Sequence, residues 1–324
     1  MIKKISILLF LSISLSYGCK EDEKKIENER ENWWLWTASW NPNDEQISVG
    51  GTQDTLRIFS SKTYKLVKAF SMEGTITKTK WHPFKNQLAI AMQGEKSKSL
   101  IFNPKSKESI QLDSLDEFGV RAIGWNKMGE LLAVGDYSGS LNIYDESVKI
   151  IKKINTKQKG LIGLDWHPEK NIVVAVGEKI SVYNFDKDSI FDIKPRNEEV
   201  LMLCVDWHPS GEFFVTGDYG DFEKDFPPLL QFWSANGDNI KNIEKSKAEF
   251  RNIKWSNDGE FLATASEFLG LWNKDGDLIK QSKSENLIWG IDWNKSNSRI
   301  VTTDGKGKIL IWDKELNKIK ELQY

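Results

Sequence analysis

Short apolar segments, each bounded by Gly, Asn, Asp or Pro, recur along this 324-residue chain with a tryptophan marking the end of one segment in every unit. The markers are Trp40, Trp81, Trp125, Trp166, Trp207, Trp255 and Trp293, at intervals of 41, 44, 41, 41, 48 and 38 residues. After each marker comes a turn-forming stretch such as "HPFKN", "HPEKN" or "SNDG", then an apolar strand such as "LAIAM", "IVVAVG" or "FLATAS". A second turn leads to an alternating strand that ends on an aromatic, as in "LRIFS", "ISVYN" and "ILIWD", and a more polar segment such as "YKLVKAF" closes the unit. Four short strands per unit of about 40 residues, punctuated by turn residues, predict seven repeated antiparallel sheets. One such sheet cannot cover both of its faces alone, so the units must stack, and a closed ring leaves no end face exposed.

The pattern resembles the WD-repeat β-propeller family across residues 33–324, and the fold expected is all-β, a seven-bladed propeller of degenerate repeats with four antiparallel strands per blade. Trp312 and Asp313 alone reproduce the family's Trp-Asp pair. Phe59-Ser60, Phe102-Asn103, Tyr144-Asp145, Tyr183-Asn184, Trp233-Ser234 and Trp272-Asn273 keep an aromatic followed by a small polar residue. Asp54, Asp136 and Asp304 match the family's tight-turn aspartate, and the other blades show no clear equivalent. The family's Gly-His pair near each repeat start is absent, so its histidine hydrogen-bond network does not carry over. The resemblance implies that an N-terminal strand completes the last blade, yet here the C-terminal "KELNKIKELQY" offers that strand. Closure by packing of the first blade on the seventh is therefore expected, aided by Trp33, Trp34, Trp36, Trp289 and the segment from Leu316 to Leu322. An exposed Trp33–Trp34 pair is alternatively a binding platform.

Residues 1–18 read as a targeting segment and not as part of the fold. Lys3 and Lys4 precede an apolar run from Ile5 to Leu15, too short for a permanent membrane span. The ending Leu15-Ser16-Tyr17-Gly18-Cys19 resembles a bacterial lipobox, which implies a lipidated Cys19; plain secretion with a free Cys19 is the alternative. Residues 19–32 then form a charged tether, able to reach ~40 Å when fully extended. This places the protein as an outer-membrane lipoprotein facing the periplasm or the cell surface, with lipid as its sole contact to the membrane. The net charge of −2, which becomes −4 once Lys3 and Lys4 are removed, gives no footprint for nucleic acid. Cys204 sits in an apolar run and is expected to be a buried, inert thiol, with no disulfide to Cys19.

Two features stand out from the repeat background. The long interval after Trp207 holds the insertion "GDYGDFEKDFPPLLQFW", in which Asp218, Asp221, Glu223 and Asp225 are interleaved with Tyr219, Phe222 and Phe226. It reads as a solvated loop, as a partner-binding loop carried by Asp218, Tyr219, Asp221, Phe222, Asp225 and Phe226, or as a calcium loop, although calcium-loop spacing is missing. The second feature is the row just before each marker: Ser39, Lys80, Gly124, Asp165, Asp206, Lys254 and Asp292. On the strand nearest the axis, alternation turns this row toward a channel and turns the rows two and four residues before each Trp away from it. Lys80, Asp165, Asp206, Lys254 and Asp292 then form a mixed-charge lining, either as paired charges filling a narrow pore or as a small-ligand site.

No phosphate loop, serine nucleophile elbow or Cys-x-x-Cys pair occurs, so no catalytic residue, metal or cofactor is assigned. His82, His167 and His208 each sit between Trp and Pro in the same turn of different blades, which argues for turn chemistry. The expected function is a non-enzymatic, monomeric, membrane-tethered scaffold or recognition module for a protein partner. The competing class is an enzyme or small-ligand binder that uses the axial channel for a carbohydrate or peptide.

Overall fold

The computed structural model describes residues 33–95, 98–113, 115–196 and 199–324, so the targeting segment, Cys19 and the tether lie outside the described residues. The first marker unit folds as β1 (Leu35–Trp40), β2 (Gln46–Gly51), β3 (Thr55–Ser60) and β4 (Leu66–Ser71), paired antiparallel in chain order. Six further four-stranded sheets follow in the same order: β5–β8 (75–111), β9–β12 (120–155), β13–β16 (163–193), β17–β20 (202–243), β21–β24 (252–283) and β25–β28 (288–321). The first strand of each sheet touches the first strand of the next, and β25 touches β1, so the seven sheets close into a ring around an axis. This is the seven-bladed propeller expected from the spacing.

Each blade buries both faces, and the alternation within its second strand shows how. In β14 (Ile172–Val176), Val173 and Ala175 join the core shared with the preceding blade, and Val174 and Val176 join the core shared with the next. A period of two thus divides one apolar strand between two interfaces, which is why these strands read as nearly continuous apolar runs. The described residues form seven apolar clusters, one at each blade–blade interface. The outermost strands, such as β4 and β16, are largely exposed.

Among the described residues, closure uses no exchanged strand. The last sheet is completed by β28 (Lys318–Glu321), and the seam is a packed interface of Leu35, Ala38, Trp40 and Val49 against Val301, Ile309, Ile311 and Leu322. Trp33 stacks on Tyr324 at 5.7 Å, and Tyr324 donates to the Gly307 carbonyl at 2.6 Å. Thr303 Oγ1 donates to the Leu35 carbonyl at 2.9 Å, and on the opposite rim Asp44 accepts from the backbone N–H groups of Lys295 and Ser296.

The Trp-His-Pro turns also bridge blades. In each, His Nδ1 accepts turn N–H groups: those of Phe84 and Lys85 for His82, Glu169 and Lys170 for His167, and Ser210 for His208. The other side of the ring faces the next blade. His82 Nε2 lies 3.1 Å from the Gly129 carbonyl and His208 Nε2 lies 3.1 Å from that of Gly259, and the three rings pack on Trp125, Trp207 and Trp255. A neutral ring that accepts at Nδ1 and donates at Nε2 satisfies this geometry. Burial followed by the nearby Lys85 and Lys170 lowers the basicity of His82 and His167 accordingly.

Candidate recognition site at the axial mouth

The charged row lies on the axis, and much of it is occupied in holding the ring together. Asp165 Oδ2 accepts the Trp207 backbone N–H at 2.8 Å, Asp206 Oδ2 accepts that of Trp255 at 2.7 Å, and Asp292 Oδ2 accepts that of Trp40 at 2.8 Å. Each carboxylate reaches the marker Trp of the following blade. Where the row offers no carboxylate to the next marker, the indole takes over at three interfaces: Trp81, Trp166 and Trp293 donate Nε1–H to the carbonyls of Ser39, Gly124 and Lys254. Trp40, Trp207 and Trp255, whose backbones are held by aspartates, leave their indole N–H groups without an acceptor among the described residues. Two interchangeable bonds therefore stitch six of the seven interfaces.

Lys80, Asp165, Asp206, Lys254 and Asp292 are brought together around one small polar cavity of about 20 Å³. Lys254 Nζ lies 2.6 Å from Asp206 Oδ1. Burial, then the Asp206 charge, raises the Asp165 carboxyl to about 6, and burial likewise raises Asp292. Burial alone would depress the Lys254 ammonium, but Asp206 and Asp165 outweigh it and raise it. The space suits roughly one or two waters. This matches paired charges filling a pore better than a small-ligand pocket.

The blade-five insertion departs from the expectation for Asp218. That residue is wholly buried and accepts the backbone N–H groups of Gly220 and Leu229 and the Arg196 guanidinium. Asp136 holds its turn in the same way, through Ser138 and Ser140. Asp218 is thus the turn aspartate of blade five, and the extra residues displace its second partner from four positions away to eleven. It closes the neck of the loop and presents nothing to a partner. Asp221 pairs with Lys224 at 2.9 Å and bridges Phe226 through its backbone, and Phe226 lies beneath Arg196. Tyr219, Phe222 and Asp225 remain exposed. Among the described residues no group of three or more metal-capable side chains gathers.

The row four residues before each marker also departs from the expectation. Strict alternation turns it away from the axis, but a bulge at Trp36, Thr77, Arg121, Leu203 and Trp289 breaks the register in five inner strands. A bulge re-aims the side chain it carries. These residues, joined by Ile162 and Arg251, ring the mouth of the channel, with Lys78 and Asn252 just below. The guanidinium of Arg121 lies 4.3 Å above the Trp36 ring and that of Arg251 lies 3.8 Å above Trp289. Trp289 also contacts Trp36 at 5.2 Å and Trp34 at 5.4 Å, and Trp34 is 44% exposed. Lys78 Nζ donates to Asn252 Oδ1 at 2.9 Å, and burial followed by repulsion from Lys80 lowers its amine to about 7. Since the mouth lies where the inner strands begin, it shares its face with the blade-five insertion, which joins the second and third strands of its sheet.

The family model of the WDR19 first beta-propeller matches residues 36–212, more than half of the chain, and that of the eukaryotic translation initiation factor eIF2A matches residues 170–271. Human echinoderm microtubule-associated protein-like 3 is 25% identical over 61% of the chain and 22% of its own length. Mouse U3 small nucleolar RNA-associated protein 4 homolog is 20% identical over 60% of the chain and 30% of its own length. Mouse F-box-like/WD repeat-containing protein TBL1X is 22% identical over 39% of the chain and 26% of its length. The chain thus spans less than a third of the length of these relatives.

Proposed function

We propose, from the premise that this chain belongs to the family of the WDR19 first beta-propeller and so to the WD-repeat propellers, that it is a recognition module which docks a protein partner on the face of its axial mouth. The observation that carries this reading is the convergence of Trp34, Trp36 and Trp289 with Arg121 and Arg251 on one rigid rim. Tryptophan and arginine are the side chains that most often dominate binding energy at protein interfaces, because they offer large contact area with few rotatable bonds or with forked donors. Blades locked by side-chain stitches present them at low entropic cost on binding. The exposed Tyr219 and Phe222 of the blade-five loop extend the same face.

A non-enzymatic role is supported by the channel chemistry. Asp165, Asp206 and Asp292 each spend one oxygen on a backbone N–H of a neighbouring blade, which gives the row a structural task. The lipid on Cys19 and the charged tether would hold this ring near a bacterial envelope surface, and Cys19→Ala should move the protein from the membrane fraction to the soluble fraction. Crosslinking of the full chain in intact cells tests the docking face. Wild type should capture a defined partner that Trp34→Asp loses, whereas equal capture by Trp34→Asp would overturn the assignment.

A further inference from the structure

We propose that the mouth is a carboxylate receptor: Arg121 and Arg251, held flat against Trp36 and Trp289, grip one Asp or Glu side chain of the partner while Trp34 receives the apolar residue beside it. The inference rests on the docking reading above and names the chemistry of what is docked. A guanidinium stacked on an indole spends its π face on the ring and keeps its in-plane N–H fork available, already oriented for a planar carboxylate. Arg121 is stacked in this way, gives part of its fork to the Tyr137 hydroxyl and, among the described residues, makes no ion pair with a carboxylate, which leaves the rest of the fork for a ligand. Arg251 gives its Nε–H and one terminal N–H to Glu249 Oε1, which leaves the far side of its fork.

The charges also point to an anion. Glu249 balances Arg251, so the net positive charge of the rim is carried by Arg121 and by Lys78 while it is protonated. The two guanidinium groups repel one another across the mouth, and an anion between them would relieve that repulsion. The indole N–H of Trp36 is buried with no acceptor among the described residues, and Lys78 uses one of its three donors on Asn252. The layer beneath is closed to a second anion by Asp165, Asp206 and Asp292. The cavity holds about 50 Å³. That is room for roughly four waters, or a carboxylate with its residual hydration, and not for a sugar ring.

Binding to the full chain is read from the indole N–H signals of Trp36 and Trp289 by NMR. The probes are a blocked tripeptide of glutamate beside phenylalanine, its glutamine counterpart, an unblocked tripeptide whose sole carboxylate is C-terminal, and inorganic phosphate. The glutamate peptide should shift both signals saturably, with at least about tenfold weaker binding of the glutamine peptide. Arg121→Gln should lose about tenfold, and Arg121→Lys should fall between, since it keeps the charge without the fork. Glu146→Gln, on an exposed turn of the opposite face, should leave binding unchanged. Equal binding of the glutamine peptide, an unchanged Arg121→Gln, or tighter binding of phosphate or of the C-terminal carboxylate would overturn the proposal. A natural partner that survives Arg121→Gln but is lost with Trp34→Asp would remove the carboxylate receptor and leave the docking face standing.

Discussion

Replacing Asp206 with Ala is expected to remove about 4 kcal/mol of stability, far more than any exposed charge in the molecule. Asp206 is 2% exposed and makes two bonds, one to the Trp255 backbone N–H at 2.7 Å and one to Lys254 Nζ at 2.6 Å. Leaving a buried backbone N–H unpaired costs about 1–3 kcal/mol. Stripping a buried ammonium of its partner costs about 3–5 kcal/mol, and the lower end applies because Asp165 and Asp292 still attract Lys254. The two losses overlap at one site, which brings the sum to roughly 4 kcal/mol. Asp206→Asn keeps an acceptor for Trp255 and should lose about half as much. Lys254→Ala in the Asp206→Ala background should restore part of the loss, because the unpaired charge is gone. Glu146→Ala, which breaks the exposed pair with Lys85, should cost no more than about 1 kcal/mol. Urea unfolding followed by tryptophan fluorescence measures all four variants. An Asp206→Ala loss within about 1 kcal/mol of Glu146→Ala would refute the view that these carboxylates stitch the blades.

Gly211→Ala should destabilise by about 2 kcal/mol or more, since its φ is +72° and a Cβ would stand 2.6 Å from the His167 ring, and thermal unfolding would show it. The Lys78 amine is lowered to about 7, so between pH 7 and the usual lysine range the unfolded chain binds the extra proton and stability should rise with pH. Lys78→Met should flatten that slope in unfolding measured across pH 7–10, and an unchanged slope would contradict the assignment. Depressed His82 and His167 give the same sign at lower pH, where stability should fall as pH drops below about 6.5. Burial pushes the Cys204 thiol up to about 12, so it should resist alkylation in the folded chain at pH 8 and react only as fast as the protein opens. Rapid labelling of native protein would contradict its burial.

The ring was legible because each blade writes its own pattern in sequence: a marker Trp, a turn and an apolar strand shared between two interfaces. The last strand could be assigned to the C-terminus because "KELNKIKELQY" carries Leu316, Ile319 and Leu322, whereas the charged segment before Trp33 has almost no apolar content. The charged row was legible by its fixed offset from the markers, but its role as an inter-blade stitch was not. That bond joins residues 42 to 252 positions apart, and nothing local in the chain signals it. The mouth was hidden for a different reason. A bulge shifts side-chain direction without changing composition, so Arg121 reads as outward-facing until the register is known, and Arg251 escapes the alternation because it lies just before its strand begins. Their shared position, four residues before a marker Trp alongside Trp36 and Trp289, was the available signal. Asp218 was read as a loop residue because seven inserted residues separate it from the Leu229 N–H that identifies it as a turn aspartate.

The claim that the mouth face does the recognising is tested most directly by photo-crosslinking the full chain in cells from two positions. One is Trp34 on the rim, and the other is Phe84, an exposed aromatic in the turn between β5 and β6 on the opposite face. A photoreactive phenylalanine at residue 34 should trap a single protein partner whose crosslinked segment contains an Asp or Glu, and the same probe at residue 84 should trap none of it. Equal trapping of that protein from both positions, or trapping from residue 84 alone, would contradict the account.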